Sequence, residues 1–233
     1  MNEKNSYVVA GSKPWNKKVF DDIISKYPGN WEFVYPCRDQ QHSVFFDMNP
    51  KPKYIFYLHW SDKIPSEVID NFDCVCFHMT DVPYGRGGSP LQNLISRGHQ
   101  ETKLTALKMV EQFDAGPVYL KSFLSLHGTA EEIYERSSYL AAAMIKEIIE
   151  QDIKPKEQEG EVTIFKRRKS SQSEIKSKNL SETYDHIRML DAEGYPKAFI
   201  NYEGLRLEFS RACKYHGKIK CDVTITEGEK DGN

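Results

Sequence analysis

Short apolar runs alternate with polar, turn-rich segments along the first 150 residues. Residues 7–10 (YVVA) are apolar and β-branched and predict a buried strand. GSKP follows, and then Val19, Phe20, Ile23 and Ile24 fall on one helical face, with Pro14 suited to the first turn. WEFVYPC (31–37), YIFYLHW (54–60) and CVCFHM (74–79) predict three more strands, with a short helix in SDKIPSEVIDNF between the last two. Strand–helix alternation of this kind predicts an α/β fold with a mostly parallel sheet. Ligands of such sheets gather outside the carboxyl ends of the strands. GSKP, HWSD and HMTDVPYGRGGSP all belong there.

PLQNLISRG predicts a helix stopped by Gly98, and TKLTALKMV (102–110) a strand. DAGP marks a tight turn before another strand. TAEE (129–132) is a capping box in which Thr129 and Glu132 satisfy each other's backbone amides. It opens a helix with Ile133, Leu140, Met144, Ile145 and Ile148 on its apolar side, which reads as ordinary core packing. Residues 151–181 are polar, lysine-rich and poor in aromatics, an extended connector with one strand at VTIF. Order returns with a short helix, a Gly-Tyr-Pro turn and a hairpin of KAFINY, EG and LRLEFSRA.

Composition narrows the classes. The 233 residues carry 32 basic and 34 acidic side chains, a net charge of −2, which weighs against a dedicated nucleic-acid binder. The balance is uneven. Residues 164–233 hold 14 Lys/Arg and 11 Asp/Glu, a net of +3, and the surplus sits mostly in KRRK, read as a solvated linker edge. Five cysteines (Cys37, Cys74, Cys76, Cys213 and Cys221) fit neither a disulfide framework nor a zinc spacing, so thiols in a reducing cytosol and no bound metal are expected. No apolar run is long enough to span a bilayer and no leader is evident, so a cytoplasmic protein without a membrane partner is expected.

The chemistry centres on His78, beside VPYGRGGSP, and on Asp114 in FDAGPV, 36 residues later. Both fall near strand or turn ends, so they can meet at one edge of the sheet. On spacing alone a structural histidine is at least as good a reading as a catalytic one.

HMTDVPYGRGGSP followed by FDAGPVY resembles the folate-dependent formyltransferases, and the likeness extends over most of residues 7–150. YDHIRMLDAEGYPKAF and LRLEFSRA resemble the accessory segment of the nucleotide-sugar enzymes of that family. The resemblance implies a Rossmann-like formyltransferase fold with a catalytic domain over 1–150, a connector over 151–180 and a small C-terminal α+β subdomain over 181–233. It implies transfer of a formyl group from N10-formyltetrahydrofolate to a primary amine. His78 would stabilise the oxyanion and move protons, and Asp114 would orient His78 and help take the amine proton. The family has an asparagine oxyanion donor two residues before its histidine, and this chain has Cys76 there. A thiol is a weak donor, and a lost oxyanion donor costs about 2.7–4 kcal/mol in the transition state. Asn93 and Thr80 are candidate replacements, and Cys76 as a small buried residue is preferred to Cys76 as a nucleophile.

By the same analogy folate would rest against Thr80, Asp81, Val82 and Pro83, the backbone of Glu111, Gln112, Phe113 and Asp114, and Trp60 in LHWSD. Ser12, Lys13 and Arg86 are the substrate-binding candidates. The nearest likeness within the family suggests a nucleotide-linked amino-sugar acceptor, best matched by UDP-4-amino-4,6-dideoxy-N-acetyl-altrosamine of the pseudaminic acid pathway. No nucleic-acid partner is expected, and a homodimer through the C-terminal segment stands open. Three alternatives remain: a methionyl-tRNA formyltransferase, a purine-pathway formyltransferase, and a catalytically degenerate binding protein.

Overall fold

The computed structural model describes residues 5–35, 44–177 and 179–228. Cys37 and the end of the expected strand 31–37 lie outside them. Two compact units interleave along the chain. One comprises residues 1–87, 102–124 and 134–164, the other 88–101, 125–133 and 165–233. This division differs from the sequence expectation of breaks at 150 and 180. The polar connector is not a spacer. Within the first unit its Lys156 bridges to Val118, and Thr163 N donates to Pro83 O at 3.1 Å. Its later half, from residue 165 onward, belongs to the second unit.

The first unit is built on a six-stranded sheet in the order β2-β1-β3-β4-β6-β7. The strands are β1 (Ser6–Gly11), β2 (Asn30–Val34), β3 (Tyr54–Leu58), β4 (Cys74–His78), β6 (Glu101–Lys108) and β7 (Val118–Ser125). β1 runs parallel to β2 and β3, and β3 parallel to β4, while β6 is antiparallel to β4. The expected α/β fold with a mostly parallel sheet is therefore present. Central parallel strands are buried on both faces and so read as unbroken apolar runs. In β3 every residue is buried: Ile55 and Tyr57 join a cluster with Val8, Ala10, Phe45, Phe72 and Cys74, whereas Phe56 meets Trp31, Tyr54 and Phe77 across the other face.

Helices α1 (Pro14–Asp22), α2 (Val44–Asp47) and α3 (Ser66–Asn71) connect these strands. Pro14 occupies the first turn of α1, as expected. Buried Asn16 ties that turn down, accepting from Lys13 N at 3.1 Å and donating to Ser138 Oγ at 3.1 Å. A short strand β5 (Tyr84–Gly87), absent from the sequence reading, pairs with β8 (Thr163–Phe165), which was expected.

The second unit holds α4 (Pro90–Ser96), α6 (Leu180–Arg188) and an antiparallel sheet of β9 (Ala198–Tyr202), β10 (Leu205–Tyr215) and β11 (Lys218–Glu227). Its third strand was missed although 218–227 alternates apolar and polar residues, the pattern of a half-exposed strand. Buried Arg188 holds this unit together, donating to the Leu126 and Gly128 carbonyls and to Asp185. The long helix α5 (Ala130–Gln151) opens on the predicted capping box, with Glu132 Oε2 accepting from Thr129 N at 2.7 Å. No helix among the described residues is long and apolar enough to cross a membrane.

Candidate active site

His78 is the last residue of β4, and its ring is nearly sealed from solvent at 8 % exposure. Asp114 lies in the loop between β6 and β7, in the left-handed region at φ +54°. The fold brings His78 Nδ1 to 3.4 Å from Asp114 Oδ1. On the other side of the ring, Nε2 lies 2.8 Å from the carbonyl oxygen of Gly85. Both ring nitrogens thus face oxygen acceptors, and a neutral imidazole carries one N–H for the two of them.

The glycine-rich turn is built around this pair. Gly85, at φ +79°, presents its carbonyl to His78 and also accepts from Thr80 Oγ1 at 3.3 Å. Gly87, at φ +101°, donates its N–H to Asp114 Oδ2 at 2.9 Å. A side chain at either position is strained in that conformation. Gly85 and Gly87 therefore hold the histidine and the carboxylate by backbone groups alone.

Beside Asp114 opens a shallow cleft whose apolar walls include Ile64, Ile69, Leu107 and Met109, with Lys63, Cys76 and Glu111 also lining it. Its apolar lining suits the face of an organic ring. Burial, and then the negative charge of Asp114, push the Cys76 thiol well above its ordinary range. Cys76 is therefore a protonated thiol, a weak donor at the cleft and a poor nucleophile.

The remaining candidates divide. Glu111 and Phe113 line the cleft, and Gln112 is exposed in the same loop. Thr80 is fully buried and braces the turn, its carbonyl accepting from Thr105 Oγ1 at 2.7 Å. Val82 and Pro83 are buried, and exposed Asp81 pairs with Lys121 at 2.6 Å. Trp60 packs edge-on to Tyr57 at 5.1 Å against the core rather than lining the cleft. Asn93 belongs to the second unit, and its amide donates to the carbonyls of Gly88, Ser89 and Lys166, so its N–H groups already have acceptors. Ser12 is exposed, and the Lys13 ammonium sits 5.8 Å above the Trp15 ring. Arg86 donates to Gln158 Oε1 from Nε at 3.1 Å and Nη2 at 2.8 Å. Ile64, Ile69, Met109 and Gln158 escaped the sequence reading: the first three look like core residues, and Gln158 stands in a polar stretch without a motif. No group of three or more His, Cys, Asp or Glu that could hold a metal occurs among the described residues.

With this geometry in view, comparison with known proteins is decisive at family level. A solved structure of a methionyl-tRNA formyltransferase from Clostridium thermocellum is 46% identical, superposes with a TM-score of 0.89, and the match covers 96% of this chain and 100% of that one. The chain belongs to the folate-dependent formyltransferase family. The family model described as "Methionyl-tRNA formyltransferase, C-terminal domain" matches residues 170–226. The methionyl-tRNA formyltransferase of Sinorhizobium medicae is 31% identical over 137 residues, 54% of this chain and 44% of the relative. The chain spans about half the length of the curated relatives it matches. A 4-N formyltransferase from Francisella tularensis shares the fold, with a TM-score of 0.66 at 17% identity over 97% of this chain and 98% of that one.

These findings correct two expectations. The amino-sugar acceptor of the pseudaminic acid pathway and the exclusion of a nucleic-acid partner both give way, because the Clostridium thermocellum structure, the Sinorhizobium medicae relative and the C-terminal family model carry the name methionyl-tRNA formyltransferase. The charge argument failed because it discounted the +3 of residues 164–233 as a solvated linker edge, and a small net charge does not exclude a nucleic-acid partner.

Proposed function

We propose that this formyltransferase moves a formyl group from N10-formyltetrahydrofolate to the amino group of methionyl-tRNA. The observation that carries the chemistry is the buried His78–Asp114 pair bordering an apolar cleft. The acceptor is supported by the 46% identical relative and by the match over residues 170–226.

Bound folate would supply the activated formyl group. Ile64, Ile69, Leu107 and Met109 would hold its ring system by apolar contact, and the loop carrying Glu111, Gln112 and Phe113 would close over it. His78 would exchange its Nε2 contact with the Gly85 carbonyl for the formyl oxygen and donate to it as negative charge develops there. Asp114 would orient the ring and accept the proton leaving the amine. With Cys76 in the asparagine position, the imidazole would carry the stabilisation of that oxygen.

The test is release of tetrahydrofolate when the purified protein meets N10-formyltetrahydrofolate and methionyl-tRNA, with uncharged tRNA as control. Turnover that needs the charged tRNA and disappears in a folded His78→Ala protein supports the proposal. Absence of turnover, or full turnover by His78→Ala, overturns it.

A further inference from the structure

Gln158 lies between α5 and β8, yet its side chain is engaged at every position. Its Nε2 donates to the Asp114 carbonyl at 2.8 Å and to the Gly116 carbonyl at 2.8 Å. Its Oε1 accepts from Arg86 Nε at 3.1 Å and Nη2 at 2.8 Å. A primary amide has two N–H groups and two lone pairs, and here all four are used.

The partners make this arrangement informative. Arg86 stands between Gly85, whose carbonyl meets His78 Nε2, and Gly87, whose N–H meets Asp114 Oδ2. Asp114 holds φ at +54°, a conformation that a non-glycine residue keeps only when its surroundings impose it. One amide therefore links the turn that fixes His78 to the backbone that aims the Asp114 carboxylate. It touches neither the imidazole nor the carboxylate.

We propose that Gln158 is a positioning residue: it clamps the Arg86 turn to the Asp114 loop and so sets the 3.4 Å approach of the carboxylate to His78. The catalytic part of this proposal rests on the formyl-transfer reading, and the geometric part does not. Gln158→Leu removes both halves of the clamp. Gln158→Glu keeps the acceptor for Arg86 but turns a carboxylate oxygen toward two carbonyls, repelling the Asp114 loop. It also serves if the leucine variant fails to fold.

Two readouts are needed. The first is the ring ¹⁵N spectrum of His78 in the substrate-free protein, compared with that of Asp114→Asn. The expected result is that each folded Gln158 variant moves the Nδ1 signal in the same direction as Asp114→Asn. The second is kinetic. Displacing a reacting group by about 1 Å costs on the order of 10²-fold in rate, so kcat falls on that order while KM for the folate donor stays within about twofold. In the Asp114→Asn background the added Gln158 substitution then changes kcat little, because both act through the same carboxylate. An unmoved Nδ1 signal, or kinetic losses that add fully in the double variant, overturns the proposal. Should the native protein show no formyl transfer, the spectroscopic arm decides the clamp by itself.

Discussion

The N–H of Gly87 donates to Asp114 Oδ2 at 2.9 Å, and this leaves Oδ1 as the oxygen that faces His78 Nδ1. The carboxylate is thereby divided between a backbone donor that fixes it and an imidazole that can use it. Asn at position 114 divides differently. Its oxygen satisfies Gly87, which turns its NH₂ toward Nδ1 and leaves the ring N–H on Nε2, against the Gly85 carbonyl. Asp114→Asn is expected to lower kcat by about 10²–10⁴-fold, the range of a lost general acid–base contribution. Its melting temperature should stay within a few degrees of the native protein's. Steady-state kinetics beside a thermal melt check both; retained kcat would remove Asp114 from the chemistry.

Cys76 gives a second prediction. Burial and the Asp114 charge keep its thiol protonated, and Cys74 is pushed up to about 12 by burial. Cys213 is exposed. At pH 8 a thiol reagent should label Cys213 well before Cys74 or Cys76, as mass spectrometry of digested samples would show. Cys76→Asn supplies an amide donor at the cleft. It is expected to raise kcat, by up to the roughly 10²-fold that one oxyanion donor is worth. A fall in kcat with Cys76→Ala as large as that of His78→Ala would instead make the thiol a participant.

How legible the site was in sequence follows from its parts. β1, β3 and β4 were readable because strands buried on both faces must be apolar throughout. His78, Asp114 and the glycine turn stood out through the family resemblance, because on spacing alone a structural histidine reads as well. β5 was invisible because Tyr-Gly-Arg-Gly has no strand pattern, and it pairs only through its backbone with a segment some 80 residues away. Gln158 was invisible for a related reason. Its task is defined by two carbonyls and a guanidinium that the fold delivers, and nothing in EQEG announces them. The acceptor was misjudged because the basic cluster at KRRK was read as a solvated linker edge and a small net charge was taken to exclude a nucleic acid.

His59 sets a pH dependence of stability. It sits at the end of β3, edge-on to the Tyr134 ring at 4.2 Å, and burial together with nearby Lys13 pushes it down from 6.5 to about 3. Between those values the unfolded chain binds a proton there and the folded chain does not. Stability therefore rises with pH across that window, by at most about 1.4 kcal/mol per pH unit, and is fully present above 6.5. Since φ at His59 is +52°, Asn is the replacement that tolerates the backbone. Urea unfolding at pH 4.5, 5.5 and 7 should show a shallower pH slope for His59→Asn than for the native protein, whatever its absolute stability. Parallel slopes would mean that the ring is protonated in the fold.

Gly116 and Gly98 separate crowding from conformational strain. A Cβ at Gly116 would lie 1.8 Å from the Lys108 carbonyl oxygen, a backbone atom of β6 that cannot turn aside. The loop would have to move, and it carries Asp114 two residues away and the Gly116 carbonyl that Gln158 holds. Gly98, which ends α4 at φ +82°, has nothing within 4 Å of such a Cβ. Gly98→Ala is expected to cost about 1–2 kcal/mol from left-handed backbone strain alone, with kcat unchanged. Gly116→Ala is expected to cost about 1–3 kcal/mol from overpacking and to lower kcat as well, because the displaced loop withdraws the carboxylate from His78. Denaturant melts and kinetics on the two proteins decide this. A Gly116→Ala enzyme with native kcat would show that the loop absorbs the methyl group without moving Asp114.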